Sequence, residues 1–243
     1  MKGFWREEKV NDHSLFIYLP QDYKETNKRF PVLYVQDGAA LFKDQIEQVE
    51  EKMNKGQQVI LVGIEPINRI DEYTPWHAPA LRDDFPDYGG KGKEYIDLVV
   101  EEIKPFIDKQ YRTRPEKENT GIIGASLGGL ISLYACYKYS DVFTRFGLLS
   151  TSLWYEGFLS FMRSQHLNMK NQRMFLSVGE SEGENKTNVQ KDMVSNTEEA
   201  IAIMRENGLK EYTYKKVPGR KHEVAFFQAV FPEAVAWLFR NQA

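Results

Sequence analysis

Short apolar runs alternate with helix-length segments through most of the chain, and this alternation limits the folds available to it. We predict strands at seven apolar runs, residues 15–19, 31–36, 59–64, 120–124, 145–149, 174–178 and 211–217. Helical periodicity predicts helices at residues 41–54, 93–110, 126–139, 188–207 and 223–240. Strands joined by helices of this length favour right-handed crossovers and a largely parallel sheet covered on both faces. The sequence therefore predicts one doubly wound α/β domain over residues 1–243.

Two segments depart from this alternation. The strand at 15–19 reaches the strand at 31–36 with no helix between them, so we expect it to be an antiparallel edge strand. Residues 65–92 show no clear periodicity and contain Pro66, Pro75, Pro79 and Pro86. Long irregular loops in compact domains usually serve a function. We therefore expect this loop to form part of the wall of a site.

Composition excludes several classes of function. The formal net charge of -3 provides no basic face for a phosphate backbone, so nucleic acid is not expected as a partner. The single cysteine, Cys136, excludes an internal disulfide and suits a reducing compartment, where we expect it as a packed core thiol. No apolar run approaches the roughly 20 residues of a membrane helix, and charged residues fill positions 1–10 in place of a secretory signal. We expect a cytoplasmic protein without a membrane partner.

A G-x-S-x-G pattern stands at the junction of a predicted strand and a predicted helix. It reads Gly124-Ala125-Ser126-Leu127-Gly128, and Gly129 extends it. A serine at such a junction lies on a tight turn that lifts its hydroxyl clear of the backbone, the nucleophile elbow. The alternative is a glycine-rich turn with an uninvolved serine. We predict that Ser126 is a catalytic nucleophile.

A serine hydroxyl needs a base within hydrogen-bond reach, normally a histidine. Because ligands of an open parallel sheet bind beyond the carboxyl ends of its strands, His222, which follows the last predicted strand, is the candidate. His13 lies before the first predicted strand and His166 lies in a polar segment, so we expect structural or exposed positions for both. His77 lies in the irregular loop and is a candidate substrate contact.

The histidine in turn needs an acid that fixes its tautomer. One loop after the strand at 174–178 carries Glu180, Glu182 and Glu184. Glu180 directly follows the strand, whereas Glu182 lies three residues beyond Gly179 and can turn back toward the histidine. We favour Glu182, then Glu180, then Glu184, and the choice stays open at this point.

Charge that develops on the substrate's carbonyl oxygen during attack needs fixed N–H donors. The residue after the nucleophile, Leu127, should supply one backbone N–H. The second should come from the turn after an early strand, here Asp37-Gly38-Ala39. Gly38 permits the turn, and we predict the N–H of Ala39 as the donor.

With these motifs in place, the chain resembles the putative esterase family, also called the esterase D or enterochelin-esterase-like group of the α/β-hydrolase superfamily. The resemblance extends over most of the sequence. It rests on the segments at 29–38 (RFPVLYVQDG), 72–75 (EYTP), 104–108 (KPFID), 111–113 (YRT), 124–129 (GASLGG) and 150–154 (STSLW).

The resemblance implies an α/β-hydrolase fold and esterase activity. In the family the catalytic acid lies a few residues past a glycine at a strand end, which favours Glu182. Many members have aspartate there, although glutamate occurs in the mycobacterial mycolyltransferase antigens. In those proteins a D-G-x turn supplies an oxyanion donor, which suits Ala39. The chain resembles the minimal catalytic domain, acting on a small acyl ester or a siderophore ester.

The function expected from the sequence is that of a serine carboxylesterase without a cofactor, whose partner is a small-molecule ester. Trp76, His77, Trp154 and Tyr155 are candidates for the walls of its pocket. An acyltransferase that uses the same acyl-enzyme is the alternative, and a non-catalytic binding protein is a weaker one. No H-E-x-x-H or comparable spacing suggests a metal. A homo-oligomer stays open.

Overall fold

The computed structural model describes residues 3–53 and 57–240. Its strands, in chain order, are β1 (Phe4–Val10), β2 (His13–Leu19), β3 (Val32–Gln36), β4 (Ile60–Ile64), β5 (His77–Ala78), β6 (Tyr88–Gly89), β7 (Thr120–Ala125), β8 (Arg145–Leu149), β9 (Arg173–Gly179) and β10 (Glu211–Val217). Its α-helices are α1 (Asp22–Glu25), α2 (Ile46–Lys52), α3 (Arg69–Glu72), α4 (Gly92–Leu98), α5 (Lys104–Gln110), α6 (Leu127–Lys138), α7 (Phe158–Ser164), α8 (Met193–Glu206) and α9 (Val224–Leu238). A π-helical stretch at Val99–Ile103 joins α4 to α5.

Eight strands form one sheet in the order β1-β2-β4-β3-β7-β8-β9-β10, and β5 pairs with β6 apart from it. The pairs β1·β2 and β2·β4 are antiparallel, and every pair from β4 through β3 to β10 is parallel. The carboxyl ends of β3, β7, β8, β9 and β10 therefore meet at one edge of the sheet. The predicted α/β fold with a mostly parallel central sheet is confirmed.

Helices cover both faces of this sheet, which explains why its strands are apolar on both sides. Along β3, Val32 and Tyr34 pack into a core with α4, α6 and α8, whereas Leu33 and Val35 pack into a second core with α2 and α9. Successive strand residues point to opposite faces, so both sets are withdrawn from water. Cys136 on α6 is fully buried, as predicted, and burial raises the pKa of its thiol.

The predicted edge position of the strand at 15–19 is wrong. This segment lies in β2, which is antiparallel as expected, but β1 pairs with its outer side. The charged residues of β1, from Arg6 to Lys9, are mostly exposed. Charged side chains on an edge strand discourage pairing with other chains. They also interrupt the kind of apolar run from which the other strands were predicted.

The remaining differences lie in helix ends, in the irregular loop and in two short helices. The helix predicted at 41–54 begins at Ile46, after a 3₁₀ turn at Lys43–Gln45, and ends at Lys52; its predicted end at Asn54 lies outside the described residues. Met1 and Lys2, part of the segment from which we predicted no secretory signal, also lie outside them. The loop at 65–92 contains α3 and the pair β5·β6. Neither α7 nor α1 was predicted, and α1 lies between β2 and β3, where we expected no helix. No helix in the described ranges combines the length and apolarity needed to span a membrane.

Candidate active site

The G-x-S-x-G segment forms a tight turn between β7 and α6. A Cβ added at Gly124 would lie 2.3 Å from the carbonyl carbon of Gly128, so strand and helix can approach this closely only with glycine at that position. Ser126 has φ 57 and ψ -121, a region that non-glycine residues rarely adopt. Its N–H bonds the carbonyl of Leu149 at 3.0 Å, and its carbonyl accepts the N–H of Ser152 at 3.1 Å. These bonds fix the strained serine against the end of β8.

Three side chains form a hydrogen-bonded chain at the carboxyl edge of the sheet. The Oγ of Ser126 lies 2.9 Å from Nε2 of His222, and Nδ1 of His222 lies 2.9 Å from Oε2 of Glu182. The phenyl ring of Phe227 packs edge-on against the imidazole, with 5.0 Å between ring centroids. A serine, a base and an orienting acid at these distances have the geometry of nucleophilic catalysis.

Glu182 is held from both sides. Its Oε1 accepts hydrogen bonds from the Ser150 hydroxyl at 2.5 Å and from the Gly179 N–H at 2.8 Å, which leaves Oε2 for His222. The residue is 4% exposed. A buried carboxylate is tolerated when such donors satisfy it. Its orientation is therefore set before any substrate arrives.

The loops that carry the acid and the histidine are joined by their backbones. The N–H of Ser181 bonds the carbonyl of Arg220 at 3.0 Å, and the N–H of Glu180 bonds that of Val217 at 2.9 Å. A Cβ at Gly179 would lie 2.3 Å from the Arg220 carbonyl oxygen. Glycine at this point lets the two loops pack together.

The other candidates named for the acid and the base lie elsewhere. Glu180 and Glu184 are exposed. His166 is also exposed. His13 is the first residue of β2, not a residue before the first strand; it is buried, with Nε2 at 3.3 Å from Glu72.

The turn after β3 lies beside Ser126. Asp37 and Gly38 have φ 64 and 60, so two consecutive residues are left-handed. The N–H of Gly38 bonds the Ile64 carbonyl at 2.8 Å, which attaches the turn to the end of β4. Ala39 follows in this turn, and Leu127 opens α6, where the first N–H groups have no partner within the helix. The predicted donor role of both amides stays a prediction.

Sequence reasoning missed three polar side chains at this edge. The Ser152 hydroxyl is fully buried and lies 3.1 Å from the Ser126 Oγ, and the Ser150 hydroxyl bonds Glu182. Both follow β8, so the rule of strand ends could have found them. Arg69 on α3 contacts Asp37 across 32 positions of sequence. No local pattern signals that contact.

Two cavities adjoin His222. One, of about 490 Å³, is lined by Ser126, Asp37, Ala40 and Arg69 and also by the apolar Leu41, Val224 and Phe227. The second, of about 260 Å³, is lined by Trp154, Met193 and polar residues that include Lys186 and Lys221. Both cavities therefore reach His222, and the larger one also reaches Ser126.

The four residues predicted for the pocket wall lie near one another, but of them only Trp154 lines a cavity beside His222. Trp154 lines the smaller cavity. Tyr155 is 2% exposed, and its hydroxyl donates to the backbone carbonyl of Trp76. The Trp76 indole N–H donates to the Glu156 carbonyl at 2.9 Å. His77 is exposed, with Nε2 at 3.5 Å from Asp87. Trp76 and Tyr155 line neither cavity beside His222, and their mutual packing gives them a structural role. Substrate contact by any of the four stays a prediction.

Comparison with known proteins gives the family. A model of the family described as "Putative esterase" matches residues 10–238. The chain belongs to this esterase family. A relative from Bacillus subtilis strain 168, "Uncharacterized protein YbbA", is 37% identical over 243 residues, which cover 98% of this chain and 97% of the relative. The "Siderophore enterobactin esterase" of Emericella nidulans is 24% identical over 148 residues, 54% of this chain and 48% of that protein.

Solved structures share the fold of this esterase. An IroE-like serine hydrolase from Shewanella oneidensis superposes with a TM-score of 0.78 at 20% identity, covering 98% of this chain and 80% of that one. The "Enterobactin and Salmochelin Hydrolase IroE" has a TM-score of 0.75 at 16% identity, covering 98% and 96%. Family membership places the chain among the ester hydrolases.

Proposed function

We propose that the protein is a serine carboxylesterase in which Ser126 forms an acyl-enzyme. The observation that carries the proposal is the chain of two 2.9 Å contacts from the Ser126 Oγ through His222 to Glu182. Ser126 Oγ attacks the ester carbonyl carbon as its proton passes to Nε2 of His222. The tetrahedral intermediate carries its negative charge on the former carbonyl oxygen, between the N–H groups of Ala39 and Leu127.

The intermediate collapses when the bond to the alcohol oxygen breaks. His222 donates its proton to that oxygen, the alcohol leaves, and the acyl group stays on Ser126. Water then gives a proton to His222 as its oxygen attacks the acyl carbonyl. When the second intermediate collapses, the bond to the Ser126 Oγ breaks, His222 returns the proton to that oxygen, and the carboxylic acid leaves. Throughout, Glu182 holds the Nδ1–H tautomer and stabilises the imidazolium.

The substrate proposed for this site is a small acyl ester or an ester of the siderophore type. The larger cavity combines Ser126 with the apolar side chains of Leu41, Val224 and Phe227, which suits a short acyl group. The siderophore alternative is supported by the relative from Emericella nidulans, whose description names a siderophore enterobactin esterase.

A set of p-nitrophenyl esters of increasing acyl length, together with siderophore esters, tests the proposal. We expect hydrolysis by the wild type and a loss of about 10⁴-fold or more in kcat for Ser126→Ala. Ser164→Ala is the matched control, because this exposed hydroxyl donates to the carbonyl of Phe161 and accepts from the Gln165 side chain, and neither contact involves the candidate site. Equal rates for wild type and Ser126→Ala would disprove the proposal.

A further inference from the structure

A single guanidinium connects the turn that carries Ala39 to the strand end that carries Ser126. The Nε of Arg69 donates to Oδ1 of Asp37 at 2.6 Å, and its Nη2 donates to Oδ2 at 3.0 Å. The same Nη2 lies 3.4 Å from the carbonyl oxygen of Ala125, the residue before Ser126. Paired N–H donors of this kind fix orientation as well as charge.

The turn needs such a restraint. Asp37 and Gly38 are both left-handed, and a left-handed conformation is strained for a residue with a Cβ. Without partners for its carboxylate, Asp37 would relax toward an ordinary conformation and rotate the following peptide groups. The N–H of Ala39 belongs to one of those peptide groups, so its direction depends on how Asp37 is held.

Arg69 is itself held in place by the capped helix α3 and by the buried ring of Tyr73. The side chain of Asn68 accepts the N–H groups of Ile70 and Asp71, which caps α3. Tyr73, directly after α3, is fully buried, and its hydroxyl accepts the N–H of Asp37 at 2.8 Å. The guanidinium of Arg69 lies over the Tyr73 ring, 5.3 Å from the centroid.

Buried contacts also link Tyr73 to the end of β3. Tyr73 packs against Tyr95, with 5.3 Å between ring centroids, and the Tyr95 hydroxyl donates to the buried Gln36 amide oxygen at 2.5 Å. Burial lowers the pKa of Arg69, but the hydrogen bonds and charge of Asp37 outweigh it and leave that pKa above its ordinary value. The guanidinium of Arg69 therefore stays charged at every pH at which an esterase is assayed.

We propose that Arg69 is a positioning residue that sets the oxyanion-binding geometry, by holding the Asp37–Ala39 turn in register with Ser126. This inference rests on the proposed esterase function. Arg69 also lines the larger cavity, so direct binding of a substrate carboxylate is the competing role. A neutral ester separates the two, because it offers no charge for the guanidinium to bind.

The experiment measures kcat and KM for p-nitrophenyl acetate with wild type, Arg69→Gln and Arg69→Lys. We expect Arg69→Gln to lower kcat by about 10- to 100-fold, less than the loss of a whole oxyanion donor, with KM changed by less than about threefold. Arg69→Lys should recover part of kcat, since an ammonium supplies charge but cannot bridge both carboxylate oxygens and the Ala125 carbonyl. Rates are normalised to the fraction of protein labelled by a fluorophosphonate, which removes unfolded molecules from the comparison.

Arg82→Gln is the matched control. Arg82 forms a similar fork with Asp84, at 3.0 and 2.5 Å, but this pair is exposed on the 65–92 loop and lines neither cavity beside His222. We expect its kcat to equal that of the wild type.

Inhibitors provide a second measurement. A trifluoromethyl ketone, whose adduct with Ser126 carries an oxyanion, should bind Arg69→Gln more weakly in proportion to the loss in kcat, while the product acid binds both proteins equally. A normal kcat for Arg69→Gln, or a raised KM with normal kcat, would overturn the positioning role. Failure of the proposed function would look different: the wild type itself would leave the ester intact.

Discussion

Replacing Glu182 with glutamine should trap His222 in a tautomer that cannot accept the serine proton. The backbone N–H of Gly179 points at Oε1 and cannot turn away. The amide oxygen of glutamine must therefore take the Oε1 position, and its NH₂ group then faces Nδ1 of His222. Two donors cannot share that contact, so Nδ1 gives up its hydrogen and Nε2 carries it instead. A protonated Nε2 facing the Ser126 Oγ is no longer a base.

The size of the loss follows from the role of the lost tautomer. The corresponding Asp→Asn change in a serine protease triad lowers kcat by about 10⁴-fold. At about 1.4 kcal/mol for each factor of ten, this equals about 5.5 kcal/mol of transition-state stabilisation. Glutamine keeps the bonds from Ser150 and Gly179, so the folded structure should survive the change.

The assay is steady-state hydrolysis of p-nitrophenyl acetate near neutral pH, with circular dichroism and thermal melting as checks of the fold. Glu180→Gln is the control, because this neighbouring glutamate is exposed and its side chain lies outside the hydrogen-bonded chain. We expect a full rate for the control. A loss of less than about tenfold in kcat for Glu182→Gln would refute the tautomer argument.

Three further expectations follow from the packing. Gly124→Ala should lower both the melting temperature and the activity, since its Cβ would lie 2.3 Å from the Gly128 carbonyl carbon. Gly219→Ala is the comparison, because no atom lies within 4 Å of its Cβ and the only strain comes from φ +67. It should lower the free energy of unfolding by only about 1 kcal/mol, measured by urea unfolding. The Cys136 thiol, fully buried and with a raised pKa, should react with a disulfide reagent at pH 8 only after unfolding, and fast reaction of the native protein would contradict its burial. Ser150→Ala should leave KM unchanged and lower kcat by about tenfold or less, because Glu182 keeps the Gly179 N–H; an unaltered kcat would show that the Ser150 bond does not orient the acid.

The parts of this site that could be predicted are those that follow local rules. Ser126 was marked by the glycines around it, and the structure requires glycine at 124 because a Cβ there would lie 2.3 Å from the Gly128 carbonyl carbon. His222 followed from the meeting of parallel strand ends at one edge. The preference for Glu182 over its neighbours came from its spacing from Gly179 and from the resemblance to the family. In the structure the position of Glu182 depends on two other residues. Gly183 turns the loop at φ +88, and Ser150, directly after β8, donates a hydrogen bond to the Glu182 carboxylate.

The parts that could not be predicted depend on contacts between distant segments. Strand β1 has four consecutive charged residues, Arg6 to Lys9, so its sequence lacks the apolar run that identified the other strands of the large sheet. Arg69 and Asp37 are 32 positions apart, and nothing near either residue indicates the pair. Trp76 and His77 are adjacent in sequence, yet the indole packs against Phe158 while the imidazole is exposed. Tertiary packing of the 65–92 loop, not its composition, decides which side chain faces the interior.

The central claim is that Ser126 is the residue that becomes acylated. It is tested most directly by treating the folded protein with a fluorophosphonate and locating the label by peptide mass spectrometry. We expect one label per chain, on the peptide that contains Ser126, and none in Ser126→Ala. A label on another residue, or an unlabelled wild type beside a labelled control esterase, would contradict it.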